Sequence, residues 1–169
     1  MGSFSVLGRI RVATVAAAIV GVAMVGCSST PTAIEASFLK RANAACLVAV
    51  VSHQKHPFPF PSFDPLHPNA KDLPVVADYF IRYGEGSTVA RELAQLGEPA
   101  RGRAQWDALL ALVQRSTTLT TEQISAARAK DVPKFVGLVN DTIRLQPQIE
   151  KAGRAAGFPP SSACGKVYG

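Results

Sequence analysis

The chain has 169 residues, of which 47% are hydrophobic and 18% are charged. The length leaves room for one domain with a substantial core, and the charged fraction lies below the roughly 25% of an average soluble domain. The net charge of +6 comes from 18 basic and 12 acidic residues. These charges are dispersed, with no basic stripe between aromatic residues, which argues against a nucleic-acid-binding surface.

The first 26 residues have the pattern of a secretion signal. Arg9 and Arg11 precede an uncharged, mostly apolar run at residues 12–25. That run is too short to span a bilayer comfortably, since a spanning helix needs about 20 apolar residues. Gly26 and Cys27 follow, and then three polar residues at 28–30.

This arrangement resembles the lipobox of bacterial lipoproteins, in which the leader is cut immediately before a cysteine whose thiol carries the lipid. The resemblance implies a signal peptide at residues 1–26, acylation (palmitate or a similar chain) at Cys27 and a short lipidated tether at residues 27–31. A multiply acylated cysteine holds firmly to a bilayer, because each buried methylene contributes about 0.8 kcal/mol. We therefore expect the protein on the extracytoplasmic face of the cell membrane, attached through its N-terminal lipid.

Residues 32–169 are expected to form an all-α domain, an up-and-down bundle of four helices. The first helix is predicted at about residues 33–54, opened by a capping box between Thr32 and Glu35. The second is predicted at about residues 74–96, although Gly84 and Gly86 weaken its middle. Its inward face is expected to carry seven residues at alternating steps of three and four, namely Leu73, Val76, Phe80, Tyr83, Ser87, Ala90 and Ala94.

The third helix is predicted at about residues 103–130. Its run of hydroxyl-bearing residues at 116–121 predicts a kink or break, because such side chains compete for backbone hydrogen bonds. Asp131 caps the predicted fourth helix, and Gly157 followed by two prolines ends it. Within that helix Pro147 is expected to introduce a kink near Ile143, which is expected to face inward.

Between the first two helices lies a loop at residues 56–68 in which proline recurs too often for a helix to form. Its phenylalanines Phe58, Phe60 and Phe63 must find apolar surroundings, and we expect them over the mouth of the bundle. With aromatic residues of the second and third helices they form the candidate binding residues, namely Phe58, Phe60, Phe63, Tyr79, Phe80, Tyr83 and Trp106. Aromatics that line a pocket of roughly 300 Å³ or more would indicate an apolar ligand, whereas a filled core would indicate a module that binds an envelope protein.

Cys46 and Cys164 remain once Cys27 is acylated. An even pair of cysteines in an oxidising compartment predicts a disulfide. The bond would tie the first helix to the C-terminal tail. A redox pair would more often have the Cys-x-x-Cys spacing, and a metal site would need more thiols or nearby histidines.

Several short stretches of the mature chain form a recognisable pattern, namely the lipobox, FLKRANAAC at residues 38–46, LAQLGEP at residues 93–99, Trp106 and AAGF at residues 155–158 ahead of a terminal cysteine. In this pattern the chain resembles a broad group of small actinobacterial lipoproteins, mycobacterial ones included, whose function is generally unassigned. The resemblance implies a location and an architecture, and it implies no reaction.

Histidine is confined to one segment, which raises an alternative function. His53 and His56 are three residues apart at a helix end, and His67 or Asp64 from the loop could complete a zinc or copper site. Exposed histidines at a helix C-terminus account for the same pattern without a metal. No nucleophile elbow or glycine-rich phosphate loop occurs, so we expect a non-catalytic protein without a cofactor.

Overall fold

The structure, a computed structural model, describes residues 33–84 and 86–168. The predicted signal peptide, Cys27 and the tether lie outside the described residues. Within the described stretches the chain forms helices and no strand, which confirms the all-α prediction. The helices are α1 (Ala36–Lys55), α2 (Leu73–Tyr83), α3 (Gly86–Gln95), α4 (Arg103–Arg128), α5 (Val132–Ala156) and α6 (Ala163–Tyr168). Of these helices, none combines the length and apolar character that crossing a membrane requires.

The two longest helices, α4 and α5, pack along each other as a hairpin. The tight turn between them includes Lys130, which has a positive φ of 58°. Asp131 then caps α5 as predicted, because its carboxylate accepts a hydrogen bond from the Lys134 amide at 3.1 Å. On this hairpin α2 lies against α4 and α6 lies against α5, while α1 packs on α3 and α6. The core between them is apolar, and its largest fully buried side chain is Trp106.

The predicted second helix is wrong in one respect, since it is two helices. Gly84 ends α2 in a non-helical conformation, with φ −78° and ψ 89°, and α3 begins at Gly86. The break changes which residues face the core. Phe80 and Tyr83 are only partly buried and Ser87 and Ala94 are exposed, whereas the buried residues are Leu73, Val76, Ala77, Tyr79, Val89, Ala90 and Leu93. A single helical period does not extend across the two glycines, because neither favours a continuous helix.

The threonine-rich run of α4 does not break the helix, contrary to our expectation. The hydroxyls of four threonines each donate a hydrogen bond of 3.0–3.2 Å to the carbonyl four residues earlier, namely those of Thr117, Thr118, Thr120 and Thr121. The hydroxyls that could compete with the backbone therefore bond within the helix itself. As a result α4 continues without interruption from Arg103 to Arg128.

In α5 the helix likewise runs past Pro147. Ile143 does not face inward as predicted, and its side chain is 53% exposed. The core positions around it are Leu138, Leu145 and Ile149, which are seven and four residues apart and so share one side of the helix. Ile143 lies on a different side of the helix, away from these buried residues.

Glu35 precedes α1, and Thr32, its predicted partner in a capping box, lies outside the described residues. The Glu35 carboxylate accepts hydrogen bonds from the backbone amides of Ala100 and Arg101, at 2.9 and 3.2 Å. The bond from Ala100 is the main reason why the pKa of Glu35 lies below its usual value. The start of α1 is thereby tied to the connection that precedes α4.

The predicted disulfide is present. Cys46 of α1 and Cys164 of α6 are both buried, and they are bonded across a sequence separation of 118 residues. A cross-link that closes a loop of this length is expected to stabilise the fold by about 4–5 kcal/mol through the unfolded chain. The short α6 is thus fixed against the middle of α1.

Two glycines in the region of α5 differ in backbone conformation, so replacing each by alanine should change the free energy of unfolding in opposite directions. Gly157 has a φ of 102°, and its amide and that of Phe158 both bond the Gly153 carbonyl. Gly157→Ala should lower the free energy of unfolding by about 1–2 kcal/mol, because a Cβ disfavours left-handed backbone. Gly137 lies inside α5, where a Cβ would meet nothing within 4 Å, so Gly137→Ala should raise it by up to about 1 kcal/mol. Urea unfolding of both variants measures the two changes in stability. A change in the same direction in both would contradict the left-handed backbone assigned to Gly157 or the open helical position assigned to Gly137.

Candidate functional site

The aromatic residues predicted to bind a ligand form two separate groups in the structure. Six of them make one aromatic cluster, namely Phe58, Phe60 and Phe63 of the loop with Tyr79, Phe80 and Tyr83 of α2. Phe58 is its centre, with its ring centroid 5.0 Å from Tyr79, 5.7 Å from Phe63 and 6.3 Å from Phe80. Edge-to-face and tilted geometries of this kind are favourable for aromatic pairs. The cluster fastens the loop to α2.

Trp106, the seventh predicted binding residue, is not part of this cluster. It is fully buried, and its ring meets Phe38 edge-to-face at 4.8 Å. Its indole Nε1 donates a hydrogen bond of 3.1 Å to the Gly97 carbonyl. Trp106 lies in the first turn of α4, whereas the loop packs near the far end of that helix. It is a core residue whose polar atom is satisfied.

The proline-rich loop is held by a few specific hydrogen bonds, since proline removes many of its amide donors. The Tyr79 hydroxyl donates to the His56 carbonyl at 2.6 Å. Asp64 accepts from the Leu66 amide at 2.9 Å, and its other oxygen lies 2.8 Å from His67 Nδ1. The contact with His67, followed by that with Leu66, lowers the pKa of Asp64. These contacts set the loop in one shape over the helices.

A groove of about 320 Å³ lies between this loop and the α4–α5 hairpin. We call it the aromatic groove, and its walls are formed by Phe58, Phe63, Pro65, Phe80, Gln123, Phe135, Val139, Thr142 and Ile143. Phe63 spans the loop and the hairpin, since its ring lies 6.4 Å from that of Phe135. The volume falls in the range of small-molecule sites, about 300–1,000 Å³.

Three of the nine wall residues are among the binding residues predicted from the sequence, namely Phe58, Phe63 and Phe80. Phe60, Tyr79 and Tyr83 belong to the cluster but not to the groove wall. The wall residues on α4 and α5 were not predicted from the sequence to belong to a binding site. Their apolar spacing indicates only a helix that packs on something, so the sequence carries no signal that distinguishes a groove wall from a core.

Other depressions of similar size have different walls. One of about 420 Å³ includes Arg41 and Glu92. Another of about 350 Å³ includes His53, Gln54 and Lys166. Their charged side chains prefer water to an apolar occupant. An apolar cavity beside the disulfide, with Leu93 and Phe158 in its wall, holds only about 120 Å³. The aromatic groove therefore combines volume and apolar character best.

Two polar side chains, Gln123 of α4 and Thr142 of α5, stand in the groove wall and bond to each other. Gln123 Nε2 donates to Thr142 Oγ1 at 2.8 Å and to the Leu138 carbonyl at 3.1 Å. The Thr142 hydroxyl donates to the same Leu138 carbonyl at 3.0 Å. This bridge joins the two helices at the groove.

The three histidines are not brought together. His56 stacks on Tyr83 with ring centroids 4.3 Å apart, His67 pairs with Asp64, and His53 lines a different depression beside Lys166. Across residues 33–84 and 86–168, no three His, Cys, Asp or Glu side chains are grouped so that they could hold a metal ion. The described part of the chain therefore gives the zinc or copper alternative no support.

No charged side chain is buried among the described residues. The two carboxylates with a lowered pKa, Glu35 and Asp64, are exposed and owe the shift to local hydrogen bonds. Catalytic acids and bases are typically identified by a perturbed pKa inside a cleft. The aromatic groove offers apolar side chains and two polar ones, Gln123 and Thr142, which hydrogen bonds hold in place.

The Tyr79 hydroxyl is expected to hold the start of the loop. Tyr79→Phe should cost about 1 kcal/mol of unfolding free energy through the lost bond to His56, and it should speed proteolytic cleavage within residues 56–68. Tyr83→Phe is the matched control, because within the described residues no hydrogen bond is formed by the Tyr83 hydroxyl while its ring keeps the stacking on His56. Urea unfolding and limited proteolysis measure both variants. The same loss in each would contradict the role given to Tyr79.

Comparison with known proteins adds no relative to this picture. No protein-family model matches the chain. No curated protein and no solved structure matches it either.

Proposed function

We propose that the protein is a non-catalytic lipoprotein of the cell envelope that binds an apolar ligand in its aromatic groove. In this proposal the leader at residues 1–26 is removed, and acylated Cys27 anchors the domain at the outer face of the cell membrane. The domain belongs with the small actinobacterial lipoproteins that its sequence resembles. Its topology is the predicted up-and-down bundle of four, with α2 and α3 together as the second member.

The volume and the apolar walls of the aromatic groove are the main support for ligand binding. Apolar side chains from the loop, from α2 and from α5 converge on a space of about 320 Å³. Ile143 remains 53% exposed at its wall, so an occupant would remove apolar surface from water. Burial of that kind is favourable by about 25 cal/mol per Å². A bound apolar molecule accounts for why these side chains surround a space and do not fill it.

The position of the groove is compatible with an anchored domain. At one end of α1, the backbone amides of residues 100 and 101 donate hydrogen bonds to the Glu35 carboxylate. The aromatic cluster begins at the other end, after 20 helical residues, which span about 30 Å. Cys27 precedes the Glu35 end in sequence, so a short tether would keep the groove away from the bilayer and open to the envelope.

The anchor is tested by Cys27→Ser in the full chain expressed with its leader in a bacterial host. We expect the wild-type protein in the membrane fraction, with an intact mass that shows loss of 26 residues and addition of acyl chains. Cys27→Ser should lose the acyl mass and leave the membrane, because the thiol is the atom that carries the lipid. Ser28→Ala is the matched control and should stay in the membrane. Unprocessed wild-type protein with free thiols in the cytosol would contradict the anchor.

The groove is tested by photocrosslinking on the full chain in membranes of the expressing cells. An alkyl probe of about ten carbons with a diazirine in its chain should label peptides of the loop and of α5. Ile143→Ser should lower that labelling about fivefold, as the loss of an apolar contact worth about 1 kcal/mol implies. Ile81→Ser is the matched control, since Ile81 is similarly exposed, at 48%, and lies outside the groove wall.

Labelling that is scattered over the surface, or unchanged by Ile143→Ser, would contradict ligand binding in the groove. Crosslinks from the groove to another envelope protein, in place of the probe, would show that the surface is a protein-binding site.

A further inference from the structure

The hydrogen bonds of Gln123 and Thr142 determine which polar atoms the aromatic groove can offer to a ligand. The Gln123 amide has two N–H donors, and both are used, on Thr142 Oγ1 and on the Leu138 carbonyl. The single hydroxyl proton of Thr142 is also used, on the Leu138 carbonyl. All three side-chain donors of the wall therefore bond within the protein, and only acceptor sites are left over.

The orientation of the Gln123 amide follows from its partners. The Leu138 carbonyl is an acceptor only, so a rotated amide would set the Gln123 Oε1 atom against another acceptor oxygen. In this orientation Oε1 is the unused acceptor of the amide, since no donor among the described residues bonds to it. Thr142 Oγ1, which donates one bond and accepts one, keeps a second lone pair.

The other side chains of the groove wall, as the structure describes it, add no donor or positive charge. Its other wall residues are Phe, Pro, Val and Ile, whose side chains carry no polar atom. The nearby start of α5, a site that generally attracts anions, is already capped by the carboxylate of Asp131.

From these observations we infer that the aromatic groove selects neutral apolar molecules that carry a hydroxyl or N–H donor, and rejects carboxylates of the same length. This inference rests on the proposed function and specifies its ligand class. A hydroxyl placed at Gln123 Oε1 gains a hydrogen bond and stays neutral. A carboxylate would lose water without meeting a donor, and an ether would leave Oε1 unpaired, both of which are costly in an apolar site.

The test compares three photoprobes that share one ten-carbon diazirine chain and differ only at the end, as an alcohol, its methyl ether and a carboxylate. All three are applied at pH 7 to the full chain in membranes of the expressing cells. We expect the alcohol to label the loop and α5 peptides about fivefold more than the ether, as one net hydrogen bond implies. The carboxylate should label them least.

Gln123→Leu isolates the role of the amide. This substitution removes Oε1, while the Leu138 carbonyl keeps its hydrogen bond from Thr142. The ratio of labelling by the alcohol to labelling by the ether should therefore fall towards one. The ether should still label the groove. Gln148→Leu is the matched control, because Gln148 bonds the Arg144 carbonyl on an exposed part of α5 and is not a wall residue. It should leave the preference unchanged.

The outcomes separate the two proposals. Equal labelling by the alcohol and the ether in the wild-type chain, or strong labelling by the carboxylate, would overturn the selectivity and leave apolar binding intact. An alcohol preference that survives Gln123→Leu would also overturn it. Absence of groove labelling with all three probes would overturn the proposed function itself, and the selectivity with it.

Discussion

The groove depends on the packing of one loop phenylalanine, Phe58, against α2. Its ring contacts Tyr79 and Phe80 on the helix and Phe63 further along the loop. Prolines prevent the loop from forming a helix, so side-chain packing has to supply most of what holds it in place. With Phe58 fixed, Phe63 reaches Phe135 of α5. A space then remains between loop and hairpin that the loop covers without filling.

The opposite wall shows how hydrogen bonding within α4 and α5 limits what the groove can recognise. Hydroxyl and amide groups on this hairpin bond mostly to carbonyls of the same helix or of the helix beside it. Gln123 and Thr142 follow that rule and use their donors on α5. The same bridge that stabilises the hairpin therefore leaves acceptor atoms, and no donor, unused among the side chains of the groove wall. The structural role of the pair and the chemistry of the groove have one origin.

Several features of the fold could be predicted from the sequence because they depend on neighbouring residues or on a simple count of cysteines. Asp131 caps α5 through an amide three residues away, and Gly157 ends the helix because its backbone is left-handed. The recurrence of proline in the loop excludes a helix in any tertiary context. The pairing of Cys46 with Cys164 followed from counting cysteines under the assumption of an oxidising compartment. Local chemistry and simple counting were sufficient for each of these.

Only the tertiary structure decided where the side chains point and which of them meet. The helical period of α5 assigned Ile143 to the core, whereas Leu145, two residues further along, is the residue that is buried there. Trp106 and Phe58 look equivalent in sequence, yet one is enclosed by the core and the other lines a groove. Gln123 had no distinguishing pattern, because its role depends on a carbonyl of another helix. The groove is a property of contacts between distant segments, and the spacing of residues along one segment does not contain it.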